Sequence, residues 1–305
     1  MKVLITGASG YLARIVAQQL SATGHQVVGI DHRPWFDCPP EIRLEKLDIR
    51  KRPTADLFRQ FRPQVVIHMA TETYVSATTE ERYRLNLNGT QSIWSYCEKF
   101  NVKQAIFVGR HTVYGAAADA PLYRKETEPL LAGTTFPTLA DLVSADLYAG
   151  QALWRTPKLK TAVLRVAYPL GPMGRGTLAN YLGGPRVPMV LGFDPLFQCI
   201  HTEDAASAVI AAMDAKIAGI YNIAGPPPIP LSALVKGVSR RAIPIPEPLL
   251  PYTLGRFGLS RLPRASLSHL KYPIVIDDSA FKVETGFKYT YQVEQIMGAF
   301  RETRY

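Results

Sequence analysis

The stretch Lys2–Ala13, KVLITGASGYLA, decides how the rest of this chain is read. Its opening residues, KVLIT, are apolar and β-branched, as a buried strand requires. Leu12, Ile15, Val16 and Leu20 then recur at helical spacing. Between strand and helix stand Gly7 and Gly10. Gly7 suits a tight turn, and Gly10 lets backbone approach a ligand closely. The helix N-terminus beyond them offers free N–H groups and a partial positive charge, which together cradle a pyrophosphate. A lone glycine pattern is weak, but a strand before it and a helix after it make it specific.

Outward from this turn, Gln26–Ile30 forms the next strand and Asp31 ends it. An acid at that place accepts hydrogen bonds from both ribose hydroxyls of NAD and repels the 2′-phosphate of NADP. Arg33, two residues on, argues the other way. The reading therefore favours NAD, with NADP as the alternative. Further strands are expected at Val65–Met69, Ala105–Val108 and Ala162–Val166, with helices around 55–61 and 80–100. This alternation predicts an α/β fold: a Rossmann doubly wound parallel sheet with helices on both faces. The dinucleotide-binding domain is expected over residues 1–170, with returning segments near 195–225. Residues 171–305 are expected to form mainly a smaller C-terminal substrate-binding lobe. There Gly and Pro become frequent, as in Gly171-Pro172-Met173-Gly174. Ala224–Pro230 and Ile243–Pro251 are expected as loops or sheet edges, because proline breaks helices and central strands.

Bulk properties narrow the classes. The chain has 305 residues, 47% hydrophobic and 20% charged, which suits a soluble globular protein. No apolar run is long enough for a membrane span, and no apolar targeting core precedes the first strand, so a cytoplasmic protein is expected. Cys38, Cys97 and Cys199 are widely spaced, suit reduced thiols and match no zinc pattern, so no metal is expected. The net charge of +10 comes from scattered residues. No basic run or nucleic-acid motif accompanies it, and a small-molecule substrate or ligand is the expected partner.

The turn and several later motifs resemble the extended short-chain dehydrogenase/reductase superfamily, in its NAD-dependent epimerase/dehydratase branch. The glycine motif covers residues 6–13. Val66-Ile67-His68-Met69-Ala70-Thr71, Asn86-Leu87-Asn88-Gly89-Thr90, Val113-Tyr114-Gly115, Leu164-Arg165, His201-Thr202-Glu203-Asp204 and Gly219–Gly225 follow in the family's order. The resemblance implies cofactor contacts from Gly7, Ser9, Gly10, Tyr11 and Leu12, and from Asp31, His32 and Arg33. It adds Asp48 and Ile49 near adenine, then Met69, Ala70, Thr71, Asn86, Val108, Gly109, Tyr168, Pro169 and Leu170. It also implies a homodimer through helices near 80–100 and 138–154.

The family's chemistry is not where the resemblance would put it. Members use a Tyr-x-x-x-Lys pair, in which tyrosine exchanges a proton and lysine, one turn away, lowers its pKa. No Tyr-x-x-x-Lys occurs anywhere in this chain. The helix expected to carry it, Thr138–Trp154, has Tyr148 followed four residues on by Ala152. The lysine position falls near Asp141 or Asp146. The position of the family's Ser or Thr holds Arg110, and Phe197 stands where an arginine often holds a substrate pyrophosphate. Two readings follow: an NAD(P)-binding protein with an atypical or lost catalytic centre, or an active oxidoreductase or epimerase using substitute groups. Arg110, His111, Tyr114, Asp141, Asp146 and Tyr148 are the candidates for that role. Asp141 and Asp146 can equally be ordinary solvated helix residues.

Overall fold

The computed structural model describes residues 1–72, 79–173, 176–256, 258–259 and 264–302. Gly174, at the end of the Gly171–Gly174 run, lies outside these. The chain begins with strand β1 (Lys2–Thr6), helix α1 (Tyr11–Ala22), β2 (Gln26–Asp31) and β3 (Arg43–Lys46). Next come α2 (Arg52–Phe61), β4 (Val65–His68), α3 (Gly89–Lys99), β5 (Gln104–Arg110) and α4 (Ala140–Arg155). Then β6 (Lys160–Val166), α5 (Thr202–Asp214) and β7 (Gly219–Ile223) complete the main unit. The seven strands form one sheet in the order β7-β6-β5-β4-β1-β2-β3. All its pairings are parallel. The chain order reverses between β1 and β4, where two consecutive crossovers leave in opposite directions.

Both faces of the sheet are covered, as a parallel sheet requires. Val3, Ile5, Ile67, Ile106 and Leu164 pack with α1 and α5 in one apolar cluster. Leu4, Val66, Ala105 and Val163 point the other way and pack with α2, α3 and α4 in a second. The side-chain period of two along each strand divides neighbouring residues between these cores. Strand β3, RLEK, is polar and partly exposed at the sheet edge, so no apolar pattern announces it.

A third apolar cluster belongs to the C-terminal part. It joins Leu170, Leu178, Val187, Phe197, Leu231, Val235, Ile296 and Phe300. Small strand pairs frame it: Arg186–Val190 with Arg241–Ile245, and Tyr168–Leu170 with Cys199–His201. The proline-rich stretch 243–251 is only partly loop and edge. Residues 250–253 form a helical turn, with Pro251 where the missing N–H costs no hydrogen bond. Ile274, Ile276 and Phe281 return to the first cluster, where Phe281 meets Tyr221 of β7, a return that the local pattern did not announce.

Candidate functional site

At the end of β1 the chain turns through Gly7 with φ +71°. A Cβ there would stand 2.7 Å from the Met69 carbonyl carbon, so no side chain fits. The N–H groups of Gly7 and Ala8 donate to the Ile30 carbonyl at 2.8 and 3.2 Å, which ties the turn to β2. Gly10 opens α1. No side chain caps that helix, and its first turn carries no acid. The unclaimed N–H groups of a 12-residue helix therefore face the space above the sheet, a fit for an anion such as a pyrophosphate.

Two cavities, of about 390 and 320 Å³, meet at Gly7, Arg33, Met69 and Thr71. They form one cleft over the C-terminal ends of β1, β2, β4, β5 and β6, the place where open parallel sheets bind ligands. Asp31, His32, Arg33, Asp48, Ile49, Met69, Ala70 and Thr71 border the first cavity. Ser9, Gly10, Tyr11, Leu12, Val108, Gly109, Tyr168 and Pro169 border the second. Two expected contacts border neither. Asn86 is fully buried; its amide accepts from the Glu72 N–H and donates to the Glu72 carbonyl and to Asp141. Leu170 belongs to the third apolar cluster.

The Asp31 carboxylate is already engaged. It accepts from the N–H groups of Ser9 and Arg33 at 3.0 and 2.9 Å, and from Arg33 Nε at 3.4 Å. A carboxylate has about four acceptor positions, so capacity for ribose hydroxyls remains. The half-exposed Arg33 guanidinium beside it offsets its negative charge. Asp48 takes the Arg50 guanidinium at 2.8 and 2.6 Å. Those hydrogen bonds hold its carboxyl down at about 2.

At the other end of the cleft stand Arg110, His111 and Thr112, from the end of β5 and the turn after it, facing Tyr168 and Thr177. Arg110 Nη1 donates to Thr177 Oγ1 at 2.9 Å. His111 is buried. Its Nδ1 lies 3.1 Å from the Val166 carbonyl oxygen, and burial pushes its pKa down to about 3. Glu72, Arg82 and Thr177 also border the cleft, and no sequence signal marked them.

Helix α4 contributes no side chain to either cavity. Asp141 and Asp146 are not solvated helix residues: both are buried in ion pairs. Asp141 pairs with Arg82 at 2.9 Å, and Asp146 with Arg165 at 2.7 Å. Tyr148 is half-buried in the second apolar cluster, under the Arg155 guanidinium. The Tyr114 hydroxyl donates to Asn222 and accepts from Arg165, both at 2.9 Å, beneath the sheet's end. Of the six candidates, only Arg110 and His111 reach the cleft.

His68 explains how the cleft floor is held. Thr6 Oγ1 takes the N–H groups of Met69 and Ala70 at 3.3 Å and meets His68 Nδ1 at 2.6 Å. Thr90 gives its own proton to the Asn86 carbonyl, so His68 Nε2 donates to Thr90 at 3.0 Å. This chain of bonds joins β1, β4 and α3 under the glycine turn.

Comparisons with known proteins agree with this architecture. An uncharacterized protein of Mycobacterium tuberculosis is 26% identical over 308 residues, covering 94% of this chain and 79% of that protein. The UDP-glucose 4-epimerase of Erwinia amylovora is 30% identical over 194 residues, 59% of this chain and 57% of the relative. The crystal structure of UDP-glucose 4-epimerase from Bifidobacterium longum in complex with NAD+ and UDP shares the fold. Its TM-score is 0.77 at 19% identity, over 99% of this chain and 97% of that one. The sequence model of the NAD dependent epimerase/dehydratase family matches residues 3–224. With most of its length so matched, this chain belongs to the NAD dependent epimerase/dehydratase family.

Proposed function

We propose that this protein binds NAD along the cleft, with NADP as the alternative, and that its catalytic centre is atypical for the family. The observation that carries the reading is the uncapped start of α1 beside the Gly7 turn, where a side chain has no room. In this reading Asp31, His32 and Arg33 hold the adenosine ribose, and Asp48 and Ile49 flank the adenine. Ser9, Gly10, Tyr11 and Leu12 surround the pyrophosphate. Met69, Ala70 and Thr71 line the middle, and Val108, Gly109, Tyr168 and Pro169 line the nicotinamide end. Asn86 and Leu170 support that wall from behind. When bound, the nicotinamide supplies a site that accepts or donates a hydride. The residues nearest that end supply neither the family's tyrosine nor its lysine.

A second reading, an active oxidoreductase or epimerase with substitute groups, has one observation in its favour. Arg110 and His111 line the cleft where a substrate would meet the cofactor. Arg110 can stabilise an oxyanion. The protein is further read as a cytoplasmic homodimer that pairs the helices near 80–100 and 138–154. No helix among the described residues is long and apolar enough to cross a membrane.

Thermal unfolding with and without dinucleotide tests the first reading. A ligand that binds the native state alone raises the melting temperature. No shift at millimolar NAD or NADP rules out the cofactor assignment. Absorbance of reduced nicotinamide with a panel of alcohols, ketones and sugar nucleotides tests the second. Turnover abolished in His111→Ala or Arg110→Ala favours substitute chemistry, and no turnover with any member of the panel favours binding alone.

A further inference from the structure

The Arg110–His111 end of the cleft carries an unsatisfied atom. His111 Nδ1 faces the Val166 carbonyl oxygen, which can only accept. Nδ1 therefore holds the ring proton, and Nε2 presents a lone pair. That Nε2 is buried and has no hydrogen-bond partner among the described residues. Burial keeps the ring neutral, so Nε2 remains an acceptor throughout the neutral range. Buried polar atoms are nearly always paired, so an unpaired acceptor in a residue that borders the cleft calls for a partner.

The surroundings define that group. Tyr168 meets the His111 ring edge-on at 4.4 Å and stacks on Phe197 at 5.8 Å. His269 is near enough to oppose a positive charge on His111, and its own Nε2 is also unpaired. Phe197, stacked on Tyr168, is buried and apolar. A ring fits the aromatic wall, and the lone pair calls for an O–H donor.

We propose that His111 is a substrate-positioning residue, whose Nε2 accepts a hydrogen bond from the hydroxyl of a small, ring-bearing alcohol seated against Tyr168. For the alcohol to reach this nitrogen, the side chains that cover it must move aside. The inference rests on the NAD-cleft reading.

The test uses the full chain with NAD, benzyl alcohol as probe, and benzyl methyl ether as the matched molecule lacking the donor. In protein with ¹⁵N-labelled histidine, benzyl alcohol is expected to move the unprotonated Nε2 signal of His111, and the ether to leave it in place. His111→Asn keeps a donor toward Val166 but removes the acceptor, and is expected to weaken benzyl alcohol binding about tenfold, the loss of one net hydrogen bond. His111→Gln, whose side-chain oxygen reaches the Nε2 position, is expected to restore most of it. Circular dichroism of both variants checks the fold, and the labelled wild-type measurement stands if either misfolds. If alcohol and ether act alike, if neither moves the signal, or if UDP-glucose moves it and benzyl alcohol does not, the proposal is overturned. A wild-type protein that fails to bind NAD refutes the cofactor reading. One that binds NAD without the histidine response refutes the positioning role alone.

Discussion

Asp146 grips Arg165 with both carboxylate oxygens, Oδ1 to Nη2 at 2.7 Å and Oδ2 to Nε at 3.1 Å, and both side chains are buried. The pair joins α4 to β6 at the sheet's end, and Arg165 passes the contact on to Tyr114 and the Glu126 carbonyl. An acid on the helix expected to carry catalysis is thus used to fasten that helix to the sheet. Asp146→Ala is expected to lower the unfolding free energy by about 3–5 kcal/mol, because it strands a buried guanidinium. Denaturant titration measures this. A loss under about 1 kcal/mol would mean that water replaces the partner.

Gly7→Ala tests the turn. The added methyl meets the Met69 carbonyl carbon at 2.7 Å, on a backbone with positive φ. The expected cost is about 1–3 kcal/mol from the backbone conformation alone, with the clash added. The same change is expected to abolish the thermal shift given by NAD. A variant with wild-type stability and NAD response would show that the turn relaxes freely.

Asp31 and Arg33 are the pair proposed to decide between the two cofactors. Asp31→Ser removes the anion and leaves Arg33 facing the ribose, so the preference is expected to move toward NADP by about tenfold or more. Arg33→Ala frees the Asp31 carboxylate and is expected to move it toward NAD. Calorimetric titrations with both dinucleotides measure the two ratios. Equal ratios in all three proteins would place selectivity elsewhere.

Buried histidines predict acid sensitivity. Burial pushes His68 and His111 down to about 3 and His269 to about 4. In the unfolded chain each titrates near 6.5. Below that pH the unfolded state takes up protons that the folded state refuses, so stability is fullest above about 6.5 and falls as pH drops toward 4. Three such groups give a slope of up to about 4 kcal/mol per pH unit near pH 5. Asp48, held at about 2, adds a further loss as pH falls below about 4. Unfolding midpoints in urea at pH 8, 7, 6 and 5 check this, and a level profile contradicts it.

The proposed homodimer is tested on α4. Leu147 and Trp154 are large apolar residues of that helix left exposed, the latter at 76%. Leu147→Glu with Trp154→Lys is expected to convert a dimer to a monomer in light scattering, since a closed two-fold interface repeats each lost contact. A wild-type protein that is monomeric at high micromolar concentration ends the proposal.

The sequence by itself determined the features that local physics controls. The apolar period showed that β1, β2, β4, β5 and β6 are strands, and the demands of a tight turn at Gly7 marked the start of the cleft. The spacing from that turn picked out Asp31, which the fold places at the end of β2 on the cleft's border. Strand β3 escaped because an edge strand with polar side chains has no period to read, and residues 274–281 because their core partners lie far away in the chain. Only the tertiary structure decided which polar groups face the cleft. Asp141 and Asp146 resemble free acids in a helix until Arg82 and Arg165, distant in the chain, arrive to neutralise them. His111 looks like one candidate among six until Val166 takes its Nδ1 proton and leaves Nε2 unpaired. Burial and charge pairing are set by neighbours distant in sequence, so helix spacing alone does not show which side chains meet a ligand.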